Sequence, residues 1–192
     1  RLLIDHGGLV YQDRLWRVRP QAERLLEELP ATVSALILAR FHQLPPGARQ
    51  MLQKAAVVGH TFPLRLLQHI GGEDHNTLAG HVDLLVAQQF LVTTPGAVEH
   101  GLAFRHALIQ KAIYGTLLVR DRRAVHDRVA EVVERHTFWT EAEQAAVLAY
   151  HYASGSQPAR AIPYLVEAAE SAERHGGYES ALQNYRRVLE IA

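Results

Sequence analysis

Cysteine is absent from all 192 residues. That excludes a disulfide-stapled scaffold, a thiolate metal site and a thiol nucleophile. Lysine is almost absent as well: Lys54 and Lys111 are the two examples, and neither follows a glycine. A G-x-x-x-x-G-K-[ST] phosphate loop therefore cannot be built from this chain. Charge of one sign is lacking too, since twenty basic residues balance twenty acidic ones. Net charge thus supplies no pull toward nucleic acid or an anionic membrane. Uninterrupted apolar runs stay well short of the 18 or so residues that a membrane-spanning helix needs. The chain opens Arg1-Leu2-Leu3-Ile4 without Met, a charged leader or a cleavage site, and reads as a piece of a longer cytoplasmic protein.

What is present is a globular composition, 48% hydrophobic and 21% charged, which excludes disorder and collagen-like repeats. At roughly 150 residues per domain, the length fits one to two domains. The patterning predicts a mainly α fold with a small β-hairpin. Arg1–Asp5 reads as the end of a helix, stopped by Gly7-Gly8. Leu9-Val10-Tyr11 and Leu15–Val18 then flank Gln12-Asp13-Arg14 as hairpin strands. From Pro30 the apolar residues Val33, Leu36, Ile37 and Phe41 recur at helical spacing up to Leu44. Pro45-Pro46-Gly47 punctuates the chain and places a domain boundary there, giving a lid-like hairpin and helix over 1–45.

Over 46–119 the order changes to three helices followed by two strands. The helices run over Ala48–Val58, from Pro63 to Ile70, and from about Asp74 to Gln89 with Asp74 as N-cap. Phe90–Thr94 and Leu102–Arg105 are strands around a Pro95-Gly96 turn, and a fourth helix runs from His106 to about Val119. This is the order of a winged-helix domain. Residues 120–192 read as helices throughout, at about 122–134, 141–153, 158–175 and 178–192. Small residues at Ala169, Ala172 and Ala181, Gly177-Tyr178 at the turn and Tyr185 beyond it match the start of a tetratricopeptide-like α-α repeat.

Candidate chemistry is sparse. His69, His75 and His81 are spaced by six, which does not bring them to one helix face, so a zinc site is not expected. No Gly-x-Ser-x-Gly element is present, and the fragment itself is not expected to be an enzyme. The third helix of the winged unit would be its groove-reading helix, yet Glu73–Gln89 contains neither arginine nor lysine. Direct DNA contact is therefore not expected. Arg120, Arg122 and Arg123 are interrupted by Asp121 and Asp127, which suits a solvated or inter-domain face. His106 is the candidate site residue. It stands where the second wing strand enters a helix, where backbone N–H groups and the positive end of the helix dipole favour an anion. An imidazole there can donate to a phosphate oxygen, or simply pack at the helix start.

Three stretches carry a resemblance: Leu29–Pro45, Leu52–Phe62 and Phe104-Arg105-His106-Ala107-Leu108-Ile109 with Ala112-Ile113-Tyr114. As a set they resemble the region following the nucleotide-binding core in bacterial STAND ATPases, the signal-transduction ATPases with numerous domains. Relatives of that type include AAA-like modules fused to class III adenylyl or guanylyl cyclases, to protein kinases and to LuxR-type regulators. The resemblance implies a helical lid, a winged helix and tetratricopeptide-like helices. The expected partners are the parent's own upstream nucleotide-binding domain and a protein held on the helical array, with no membrane contact. No cofactor is implied for this fragment; ATP or ADP with Mg²⁺ is implied for the parent, which would be an ATPase, a nucleotide cyclase or both. In apoptotic and immune relatives a Met-His-Asp motif at the wing-to-helix junction contacts the β-phosphate of ADP. Arg105 and Ala107 replace its Met and Asp, so the resemblance carries over His106 alone, as a nucleotide sensor. The alternative is a fragment of a LuxR-type transcriptional regulator whose DNA-binding domain lies elsewhere.

Overall fold

The computed structural model describes residues 9–12, 15–18, 33–72, 74–94 and 101–192. The expected Arg1–Asp5 helix, the Pro30 helix start and the Pro95-Gly96 turn lie outside them. The chain divides into two compact units, Arg1–Leu44 and Pro45–Ala192. In the first, β1 (Leu9–Gln12) and β2 (Leu15–Val18) pair antiparallel, with Leu9 opposite Val18 and Gln12 opposite Leu15. Residues 33–42 form helix α1, and Phe41 and Leu44 are buried.

The second unit is mainly helical and contains a small three-stranded antiparallel sheet. Its central element is α2 (Pro46–Val58), which has Pro at its first turn, where a missing N–H costs nothing. Ala48, Met51, Leu52, Ala55, Ala56 and Val57 are all buried, because four further helices of the unit pack against α2. Strand β3 (Thr61–Pro63) leads into α3 (Leu64–Gly71), closed by Gly72 in the left-handed conformation at φ 71 that a glycine adopts without strain. Helix α4 (His75–Ala87) begins at Asp74, whose carboxylate accepts the N–H groups of Asn76 and Thr77 and the Thr77 hydroxyl. Asp74→Ala should lower the melting temperature by a few degrees without altering the folded spectrum, as measured by circular dichroism.

Strands β4 (Leu91–Thr94) and β5 (Gly101–Phe104) follow, in spatial order β3-β5-β4. Strand β3 is an addition to the two expected strands. Its three residues include a proline and are too short to show a period, and its partner β5 lies some forty residues away. Helix α5 (Ala107–Gly115) is shorter than the expected run to Val119. Its last turn tightens: the N–H and Oγ1–H of Thr116 both reach the Ile113 carbonyl, and the Leu117 N–H reaches Tyr114. Leu118 is then extended and caps α6 (Val119–Arg135).

Helices α7 (Glu141–Ser154), α8 (Ile162–Arg174) and α9 (Tyr178–Ile191) complete the unit, each packed on the preceding one. The expected helix from residue 158 is split into a 3₁₀ turn, Pro158–Ala161, and α8. Pro163 explains the break: it is tolerated in the first turn of a new helix and disruptive inside a continuous one. The small residues Ala161, Ala169 and Ala181 are buried where these elements meet.

Candidate functional site

His106 is the hinge residue between β5 and α5. The Arg105 N–H donates to the Phe90 carbonyl (3.0 Å), which extends the sheet pairing one residue past the strand. His106 itself is extended (φ −145°, ψ 141°), and its carbonyl accepts the Ile109 N–H at 2.9 Å to open the helix. Its ring caps no backbone N–H of α5. Arg105, His106 and Ala107 are all exposed.

The support beneath this junction is rigid. Phe104, Ile109 and Ile113 are buried on its inner side. Gln110 donates through Nε2 to the Ala56 carbonyl of α2 (3.1 Å), and Gln53 of α2 donates to Thr116 Oγ1 (2.9 Å). An exposed imidazole, a neighbouring guanidinium and the start of a nine-residue helix form a surface suited to an anionic group.

The other histidines singled out in the sequence are not brought together. His69 stacks on His136 with ring centroids 4.2 Å apart and meets Phe138 edge-on. Its protonation is disfavoured by desolvation and by the charges of His136, Arg65 and Arg128. No group of three metal-ligating side chains occurs among the described residues. In the arginine cluster, Arg120 pairs with Asp121 (3.4 Å) and Arg122 lies over the Tyr114 ring at 4.9 Å.

Two features have no counterpart in the sequence reading. One is a cleft of about 250 Å³ between β3 and the α6–α7 connection, lined by Thr61, Phe62, Arg65, Phe138 and Trp139 among others. It joins segments more than seventy residues apart, and no local pattern announces it. The other is the buried pair His126 and His151. Here a signal existed: Val129, Ala130 and Val133 place His126 on the apolar stripe of α6, and Leu148 and Tyr152 flank His151 on that of α7.

No known protein family matches the chain, and no solved structure matches it. Among curated proteins it is similar to the uncharacterized protein R02095 of Rhizobium meliloti (strain 1021), at 29% identity over 91% of this chain. The match spans 17% of that protein's length. Among the described residues no helix is long and apolar enough to cross a membrane.

Proposed function

We propose that this chain is a regulatory and interaction segment of a multidomain signalling ATPase of the STAND type. In this reading residues 46–119 are a winged helix that reads the nucleotide state of an upstream core, and 120–192 are a tetratricopeptide-like array that holds a protein partner. The observation that carries the reading is His106, exposed at the N-cap of α5 directly after the last strand of the β3-β5-β4 sheet. Supporting it, the helices α2, α3 and α4 precede the strands β4 and β5, with β3 an addition between α2 and α3. The match to a stretch amounting to 17% of a much longer bacterial protein also suits a segment that works within a larger chain. Cytoplasmic residence and Mg²⁺-dependent nucleotide binding belong to the parent in this reading.

A neutral or protonated imidazole at this junction donates to a phosphate oxygen of ADP and holds the winged helix on the nucleotide site. A charge-assisted hydrogen bond of this kind is worth about 1.5–3 kcal/mol. In the parent protein, His106→Ala should therefore weaken ADP binding by roughly ten- to a hundredfold. ATP should lose less, because the winged helix leaves the site in the open state. Isothermal titration with both nucleotides, beside a melting curve, tests this. An unchanged ADP-to-ATP ratio with a lowered melting temperature would reduce His106 to a packing residue and remove the sensor.

A further inference from the structure

His126 of α6 and His151 of α7 are 0% and 1% exposed, and their Nδ1 atoms are 2.9 Å apart. Tyr114 Oη of α5 lies 3.1 Å from the other ring nitrogen of His126, Nε2. His151 is also hydrogen-bonded to the backbone of Val58, the last residue of α2. Tyr114 is in turn hydrogen-bonded to Tyr150, which is 46% exposed at the surface of α7. A single chain of bonds therefore runs from solvent through Tyr150, Tyr114, His126 and His151 to the end of α2, and it crosses four helices.

The polarity of that chain is determined by its inner end. The Val58 carbonyl can only accept, so His151 carries its proton on Nε2 and offers Nδ1 as acceptor. His126 must then carry its proton on Nδ1, and its Nε2 accepts the Tyr114 hydroxyl. With both rings neutral, each of the four ring nitrogens is used once. The carbonyl at the end of α2, which has no partner within its own helix, is satisfied at the same time.

We propose that this chain of bonds is a proton-operated latch, holding α6 and α7 against α2 and α5 when both imidazoles are neutral and releasing them when a proton is taken up. A first proton placed on His151 Nδ1 confronts the Nδ1–H of His126. The clash is avoided if His126 moves its own proton to Nε2 and Tyr114 turns its hydroxyl to Tyr150. The bonds outward of His151 are then remade in the opposite direction while its bond to the Val58 carbonyl is kept, but a cation is left in the core. A second proton sets two N–H groups against each other across the 2.9 Å gap.

The charged groups around the latch do little to stabilise the cation. Burial disfavours protonation of both rings, and His126 opposes charge on His151. On α6, Asp127 favours a charged His126 and Arg122 opposes it. The Asp127 carboxylate is itself occupied by the Ser156 N–H and hydroxyl at 2.9 and 2.6 Å. From α9, Arg187 acts on Tyr150 at the solvent end. Hydration of the buried charge therefore requires α7 to separate from α2.

The test combines side-chain ¹⁵N spectroscopy with hydrogen exchange on the intact 192-residue chain between pH 7.5 and 5. At pH 6, where an ordinary imidazole is more than half protonated, both rings should still be neutral. His126 should carry its proton on Nδ1 and His151 on Nε2. On acidification, protection of amides at the α2–α7 and α5–α6 contacts should fall before that of β4 and β5. The fall should approach tenfold per pH unit for each proton taken up, after correction for intrinsic exchange. The double variant His126→Phe/His151→Leu should lose this selective pH response. Should that variant not fold, the wild-type spectra still decide. Ordinary titration of either ring near 6.5, the same tautomer in both rings, or uniform loss of protection across the unit would each overturn the latch.

Discussion

Phe104→Ala should cost about 3–5 kcal/mol, the range for emptying a large aromatic site in a packed core. Phe104 is 1% exposed and ends β5, the middle strand of the sheet. Its N–H donates to the His60 carbonyl at 2.9 Å, and its ring meets Phe62 edge-on with centroids 6.1 Å apart. Leu91 stands opposite it on β4. Alanine keeps the backbone bond and removes the ring, so the loss measures packing alone. Phe104→Leu, which retains most of the volume, should cost less than about 1.5 kcal/mol. Urea denaturation reads both effects through the midpoint, with the slope unchanged if the transition stays two-state. Because domains of this size are stable by only about 5–15 kcal/mol, the alanine variant should lose a large fraction of its stability. A cost near 1 kcal/mol would mean that the sheet closes over the vacancy and that the His106 junction, two residues on, is not rigidly backed.

Most of the helices are legible from local signals in the sequence. Asp74 announces α4 because a short carboxylate before a helical pattern satisfies orphan amides, and its side chain does so here. Gly72 and Gly176 mark helix ends at positive φ, where other residues are strained. Boundaries failed where the deciding interaction was a competing local bond. Thr116 ends α5 by bonding back to Ile113, and Pro163 restarts the helix that was expected to continue from residue 158. Strand β3 escaped notice because a three-residue edge strand has no periodicity, and its existence depends on β5.

The candidate site was legible only in part. His106 could be placed between a strand and a helix from pattern alone, and it stands at that junction, exposed. What it would recognise is not written in local pattern, since in the proposed reading the phosphate is held by a separate nucleotide-binding domain. The His126–His151 pair was passed over for a different reason. Spacing along one helix tests a histidine only as a metal ligand, whereas two on apolar stripes of adjacent helices can satisfy each other. That pairing joins residues 25 positions apart and becomes visible only once α6 and α7 are packed.

Glu134→Ala should cost about 2–3 kcal/mol and should uncouple α6 from the helices that follow it. Glu134 lies next to the C-terminal end of α6, where the helix dipole disfavours a carboxylate. Tertiary bonds must therefore justify its charge. Arg160 donates through Nη2 to both carboxylate oxygens, at 3.0 and 2.9 Å, and Tyr164 Oη donates to Oε1 at 2.9 Å. The Arg160 guanidinium also covers the ring of buried Tyr152 at 4.3 Å, and that ring stacks on Tyr164. One carboxylate thus gathers the 3₁₀ turn and α8 onto α6, with Tyr152 of α7 between them. Each charged hydrogen bond is worth about 1.5–3 kcal/mol when sheltered. The total is held below a simple sum because the side chains of Arg160 and Glu134 are 44% and 28% exposed. Burial alone would raise the pKa of Glu134, but the Tyr164 hydroxyl and the Arg160 guanidinium outweigh it and hold the carboxyl below its ordinary 4.5. A lowered folded value means that the unfolded chain binds the proton more readily. The stabilisation is therefore fully present above the ordinary value and is lost as pH falls through the folded one. Glu134→Ala should flatten that acid limb while leaving the histidine-dependent fall at higher pH in place. A double-mutant cycle with Tyr164→Phe should give a coupling of at least about 0.5 kcal/mol at neutral pH. If the two losses simply add, the carboxylate is a solvated end of α6 and the array is held by its alanine-lined packing alone.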